Sequence, residues 1–137
     1  MQWTQGDFIL TDDRSRLNVD RTFVLLQGTY WGVRRPREVV AQMVEHSLCF
    51  ALLKAEQQVG FVRAVTDFTV FTWIADLVVE APYRGLGLGT WMMHCLASHP
   101  ALLSTQKVLQ TRDAHEFYEK FGLASHPALM STPVPGL

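Results

Sequence analysis

The order of elements along this chain predicts an α+β fold with a mixed, mostly antiparallel sheet and helices on both faces, and three observations carry that prediction. Three apolar segments, 48–54, 59–66 and 70–80, follow one another with only short polar turns between them, as the strands of an antiparallel meander do. Two stretches of helical periodicity precede the meander. A glycine-rich turn, a helix and one more apolar strand follow it, which embeds a single strand-helix-strand crossover, and hence one parallel pair, in the pattern.

The first apolar stretch, 8–10, is short, and "TDDRSRLN" after it reads as a polar turn. Asn18 or Asp20 can cap a helix with Phe23, Leu26 and Tyr30 on one face, ending near Gly28 or Gly32. Pro36 suits the first turn of a second helix, in which Val40, Met43, Val44 and Ser47 recur at helical spacing. Strands 48–54 and 59–66 form a hairpin about the polar tip Glu56, Gln57 and Gln58, and "VFTWIADLVVE" continues the meander after a turn at Asp67. "LGTWMMHCLASH" spaces Leu88, Trp91, Met92, Cys95 and Leu96 as a helix that ends before Pro100. "KVLQT" is a further strand. "DAHEFYEKFG" is a helix stopped by Gly122, with Asp113 as its N-cap, His115 in its first turn, and Phe117 and Phe121 one turn apart. The tail "HPALMSTPVPGL", broken by three prolines, leaves a last strand open, and strand exchange or edge pairing with a second copy would make a homodimer.

At 137 residues the chain fits one domain spanning 1–137. With 48% hydrophobic and 18% charged residues and no apolar run of bilayer length, a soluble protein is expected, with no membrane partner. The amino terminus lacks the basic start and apolar stretch of a secretory signal, so the expected location is cytoplasmic. The formal charge is −1 and Lys and Arg are scattered, which excludes the footprint of a nucleic-acid binder. Cys49 and Cys95 sit in apolar segments and form no C-x-x-C, so buried thiols are expected rather than a disulfide or zinc site. The five histidines, at 46, 94, 99, 115 and 126, show no ligand spacing, and no metal is expected. No serine or cysteine stands in a nucleophile elbow, which argues against hydrolase chemistry.

"YRGLGLGTWM" packs Gly85, Gly87 and Gly89 into five positions. A strand running into such a turn and then a helix aims several backbone N–H groups and the positive end of the helix dipole at one spot, where an anion is the natural occupant; glycines let phosphate oxygens reach the main chain, and Arg84 can add a charged contact. A tight turn that only needs curvature is the alternative. Thr90 stands where a dinucleotide-binding turn needs its third glycine, and no lysine follows Gly89 as a Walker-type loop requires.

Arg84-Gly85-Leu86-Gly87-Leu88-Gly89 after an apolar strand resembles the R/Q-x-x-G-x-G/A pyrophosphate motif of the GNAT N-acetyltransferases. The element order resembles that family over nearly the whole chain, and "DAHEFYEKFGL" is similar to its late helix, in which a tyrosine precedes a G-F or G-L pair. Pro82 lies one residue later than in many members. The resemblance implies that acetyl-CoA is the cofactor, its pyrophosphate received by Arg84, Gly85, Thr90 and the amides of Leu86, Gly87, Leu88 and Gly89. Main-chain groups of Leu77, Val78 and Val79 would hold its pantetheine arm in a wedge between "IADLVV" and "KVLQT". It implies Tyr118 as general acid, with packing against Phe117 and Phe121 as the alternative.

Asp76 interrupts the apolar strand, where a carboxylate needs a partner or a task; proton acceptance or ammonium binding stands against a salt bridge or an edge position. Glu80 is a weaker candidate. The acceptor would bind beneath "TYWGVRRPRE", where Tyr30, Trp31 and Trp73 could form a cation-π wall and Arg34 and Arg35 would suit a carboxylate; the tryptophans equally suit the core. The expected function is transfer of an acetyl group to a primary amine of a small molecule or peptide by direct attack in a ternary complex. A non-catalytic acyl-CoA-binding or sensing domain is the alternative, and a nucleotide-binding module a third.

Overall fold

A computed structural model describes residues 1–134, beginning with a strand that periodicity did not reveal. In β1 (Gln2–Gln5) only Trp3 is part-buried, so there is no apolar alternation to read; it pairs antiparallel with β2 (Phe8–Thr11). A 3-10 turn at Arg14–Arg16 leads to α1 (Val19–Gln27), whose N-cap Asn18 accepts from the Arg21 N–H and whose C-cap is Gly28. Its buried face is Thr22, Leu25 and Leu26, and Tyr30 lies beyond its end. Pro36 caps α2 (Arg37–Glu45), which buries Val40 and Val44 one turn apart.

The meander follows as β3 (Leu48–Lys54), β4 (Gln57–Thr66) and β5 (Phe71–Val79). The first hairpin is tighter than expected. Ala55 and Glu56, both at positive φ, form a two-residue tip, so Gln57 and Gln58 belong to β4. Gln58 is 2% exposed: its amide nitrogen donates to Thr22 Oγ1 at 2.8 Å, and its amide oxygen accepts from the Asn18 N–H at 2.8 Å. After a 3-10 turn at Ala81–Tyr83 come α3 (Leu88–Ala97), β6 (Gln106–Leu109) and α4 (His115–Glu119). The six strands stand in the sheet in chain order, antiparallel from β1 to β5, with β6 parallel to β5.

Strand alternation divides the apolar side chains between the two faces. On one face Leu10, Phe50, Leu52, Val62 and Ile74 meet Leu88, Met92 and Leu96 of α3; on the other Ala51, Leu53, Phe61 and Val78 meet Leu25 and Leu26 of α1 and Val40 and Val44 of α2. Both cysteines are buried and unpaired, and burial pushes their thiols up, Cys49 to about 12 and Cys95 to about 11. The tail carries no strand as far as Val134; the expectation of a last strand otherwise falls on 135–137, outside the described residues.

The β5–β6 ladder spans four pairs, from Phe71↔Gln106 to Ile74↔Leu109, so the rest of β5, 75–79, is paired only with β4. That half-open strand is where the site forms.

Gln58→Ala would leave the Asn18 amide without its acceptor and take from the Thr22 hydroxyl the buried N–H it accepts, while that hydroxyl still donates to the Asn18 carbonyl. It is expected to lower stability by about 1–3 kcal/mol. A drop in the urea midpoint with unchanged m-value would register it.

Candidate active site

Between Phe61 and Arg63 β4 advances two residues while β5 advances three, from Val78 back to Ala75. The extra residue makes a bulge that leaves Asp76 at φ 62, a region that costs a non-glycine residue roughly 1–2 kcal/mol. Its carboxylate holds it there. Oδ1 accepts from Arg35 Nη1 at 2.8 Å and Oδ2 from Arg63 Nε, while Arg63 Nη1 also donates to Ser47 Oγ at 3.2 Å. The Asp76 side chain is 1% exposed, against 26% for Arg35 and 14% for Arg63. Both Asp76 oxygens are thus engaged by guanidinium groups, the salt-bridge arrangement that stood as the alternative to a proton-accepting role. Glu80 is also engaged, accepting from Arg21 Nη2 at 3.1 Å.

A cleft of about 1050 Å³ runs along the half-paired end of β5, from the glycine turn to the connection between α1 and α2. Leu77, Val78, Val79, Arg84, Gly85, Gly87, Leu88, Gly89 and Thr90 line one end. Gly85 and Gly87 have φ of 79 and 76, which their lack of a Cβ permits. Gly89 lies in the first turn of α3, where a Cβ would make an ordinary 3.6 Å contact with the Phe117 ring, so neither space nor a positive φ demands glycine there. Gly87 caps α3 with no side-chain hydrogen bond, and the Trp91 N–H to the Gly87 carbonyl is the bond that opens the helix. The amides of Leu88, Gly89 and Thr90 thus have no intrahelical acceptor. A pyrophosphate, rich in acceptor oxygens, fits that donor set. Arg84 Nε donates to the Val79 carbonyl at 2.8 Å, tying the turn to the strand end. Leu86, expected to bind cofactor, is 59% exposed and outside the lining.

Tyr118 lines the middle of the cleft, and burial pushes its phenol up to about 12, with Tyr30 and Asp113 adding to the shift. It stays a donor across the neutral range. Asp113 is not the N-cap of α4: Ala114 holds that position and makes no side-chain cap bond, and Asp113 stands exposed on the cleft wall.

At the far end lie Tyr30, Trp31, Trp73, Arg35, Arg63 and Arg112. Tyr30 and Trp31 meet edge to face at 5.0 Å, and the Arg112 guanidinium lies 3.7 Å over the Tyr30 ring. Of the two arginines expected here, Arg35 lines the cleft, and Arg34 is exposed and outside the lining. Sequence reasoning missed Arg63 and Arg112. A lone charge inside the apolar run "VGFVRAVT" was the available signal for Arg63, since a buried arginine needs an acid such as Asp76.

The sequence profile of the acetyltransferase (GNAT) domain matches residues 45–122. A solved structure from Xanthomonas campestris pv. campestris, described as belonging to the GNAT family, superposes with a TM-score of 0.88 at 30% identity, covering 95% of each chain. A Gibberella zeae protein carrying an acetyltransferase name is 26% identical over 114 residues, and the chain spans 64% of its length. The uncharacterized N-acetyltransferase ycf52 of Porphyra purpurea is 32% identical over 121 residues, which cover 83% of this chain and 69% of that one.

Asp76→Ala would strand two arginines and leave alanine in a left-handed conformation. It is expected to cost about 3 kcal/mol, the low end for breaking a buried pair, because Arg35 keeps access to water. Equilibrium urea unfolding measures this; a loss below about 1 kcal/mol would mean that the ion pairs do not hold the bulge.

Proposed function

This chain belongs to the GNAT acetyltransferase family, and from that premise we propose that it transfers an acetyl group from acetyl-CoA to an amine by direct attack in a ternary complex. The observation that carries the reading is the parting of β5 from β6 above a glycine turn whose helix-initial amides have no acceptor. Acetyl-CoA supplies the acyl group as an activated thioester. The amides of Leu88, Gly89 and Thr90, with Arg84 beside them, receive its pyrophosphate, and the half-paired main chain of Leu77, Val78 and Val79 receives its amide-bearing arm much as a strand edge receives a peptide.

Tyr118 gives a hydrogen bond to the sulfur as it leaves. Its raised pKa keeps the proton on the phenol, which makes it a standing donor rather than a group that titrates near neutrality. The acceptor enters from the side of Tyr30 and Trp31 and gives up its proton to water at the open mouth of the cleft, beside Asp113. The engagement of Asp76 by two arginines leaves no assured base, and that favours the second reading, a non-catalytic acyl-CoA-binding domain. Steady acetyl transfer to any member of an amine panel excludes it.

Calorimetric titration with acetyl-CoA is expected to give a Kd on the order of micromolar, lost in Gly87→Glu, which sets a carboxylate and a strained backbone beside the phosphate donors. A folded wild type that binds nothing would overturn the reading. Tyr118→Phe should keep that affinity and lower kcat by about tenfold or more, and unchanged turnover would remove Tyr118 from the chemistry. Because the folded phenol titrates near 12 rather than its ordinary 10, kcat should hold its plateau up to about pH 10. A pH-rate profile falling about one pH unit earlier, and doing so only while Tyr118 is present, would place the phenol in the reaction but contradict the upward push of burial on it.

A further inference from the structure

We propose that the amine acceptor carries an oxyanion, a carboxylate or a phosphate, bound by Arg35 and Arg63 at the far end of the cleft; this deepens the acetyltransferase reading and rests on it. The charges there do not balance. Arg35, Arg63 and Arg112 line this end together with the two carboxylates Asp76 and Asp113, and Asp76 is shared between two guanidinium groups. Each guanidinium has five N–H donors. Arg35 spends one on Asp76, and Arg63 spends one on Asp76 and one on Ser47. Arg63 is largely withdrawn from water and Arg35 partly so, and a positive charge in that setting is costly unless a counter-charge or ligand meets it.

A second, independent feature points the same way. Among the described residues, Trp31 Nε1 is the buried side-chain polar atom left without a hydrogen-bond partner, and Trp31 lines this end of the cleft. An indole N–H only donates, so it calls for an acceptor oxygen. Arg112, its guanidinium carbon 3.7 Å over the Tyr30 ring, adds a third positive charge at this end. The excess is local, since the whole chain has a formal charge of −1. A polycationic acceptor would meet like charge on three arginines, whereas an amine with an oxyanion matches them and leaves its nitrogen free for the region of Tyr118 and Asp113.

The test is the initial rate of CoA release with a panel of four arms: α- and ω-amino acids, aminoalkyl phosphates, the matching carboxamides and amino alcohols, and polyamines. At least one oxyanion arm is expected to exceed its neutral counterpart in kcat/KM by about tenfold or more, and the better of the two arms identifies carboxylate or phosphate. In Arg35→Gln that ratio should collapse to within about twofold, with Arg35→Lys retaining part of it; acetyl-CoA affinity by calorimetry should be largely kept, because Arg63 still anchors Asp76. A merely structural Arg35 would lower all arms alike and leave the ratio intact, which overturns the proposal. Equal or better transfer to neutral amines or polyamines also overturns it, as does no transfer to any oxyanion-bearing member while acetyl-CoA binds; the acetyltransferase reading survives the first of these. Failure of the wild type to bind acetyl-CoA falls on that reading itself, and the acceptor proposal falls with it.

Discussion

Two guanidinium groups gripping one carboxylate hold the rest of this molecule's working geometry. Asp76 sits in a backbone conformation that suits glycine, yet a glycine would supply no anchor. Arg35 reaches it from the connection between α1 and α2, and Arg63 from the neighbouring strand. The triad therefore joins the helical layer to the sheet at the point where β5 gains its extra residue. The bulge redirects the end of β5, the ladder to β6 stops at Ile74, and the gap beyond becomes the cleft. Sheet irregularity, helix placement and a charged wall are one feature seen from three sides.

As proposed, the two ends of the cleft would attract anions by different means. At the glycine turn the donors are main-chain amides and a helix dipole, which supply partial charge without side-chain entropy. At the opposite end full charges on arginines do the work, partly desolvated and held in position by Asp76 and by stacking on Tyr30. Between them stands a phenol that burial keeps protonated. The thiols of Cys49 and Cys95, pushed up by burial, lie outside the residues that line the cleft.

Legibility followed the kind of signal each element carries. The strands of the meander and the four helices show in periodicity and caps, because burying one face imposes a repeat on the sequence. Strand β1 has no buried face to impose one. The hairpin tip was misjudged at Gln58, a polar residue whose amide is satisfied inside the fold by Asn18 and Thr22, partners forty and thirty-six positions away. The glycine turn was legible because local backbone geometry demands local residues. Arg63 was not, because its reason for being buried lies on another strand and appears only when β4 and β5 are brought into register. Asp113 looked like a cap by position alone, and the N-cap of α4 falls one residue later, at Ala114.

The brevity of the β5–β6 ladder has a mechanical consequence. Four residue pairs, the packing of Leu109, Phe117, Tyr118 and Phe121, and a few polar contacts such as Thr72–Thr105 fasten β6 and α4 to the rest of the sheet, fewer ties than bind the meander, so this segment has the makings of a cooperative unit that opens at lower free energy. A molecule lying in the gap and bonding to both banks would act as a missing strand, closing the unit and slowing amide exchange on each side of it. Reaction and release would then alternate between a sheet of six strands held as one body and a sheet of five with a hinged flap.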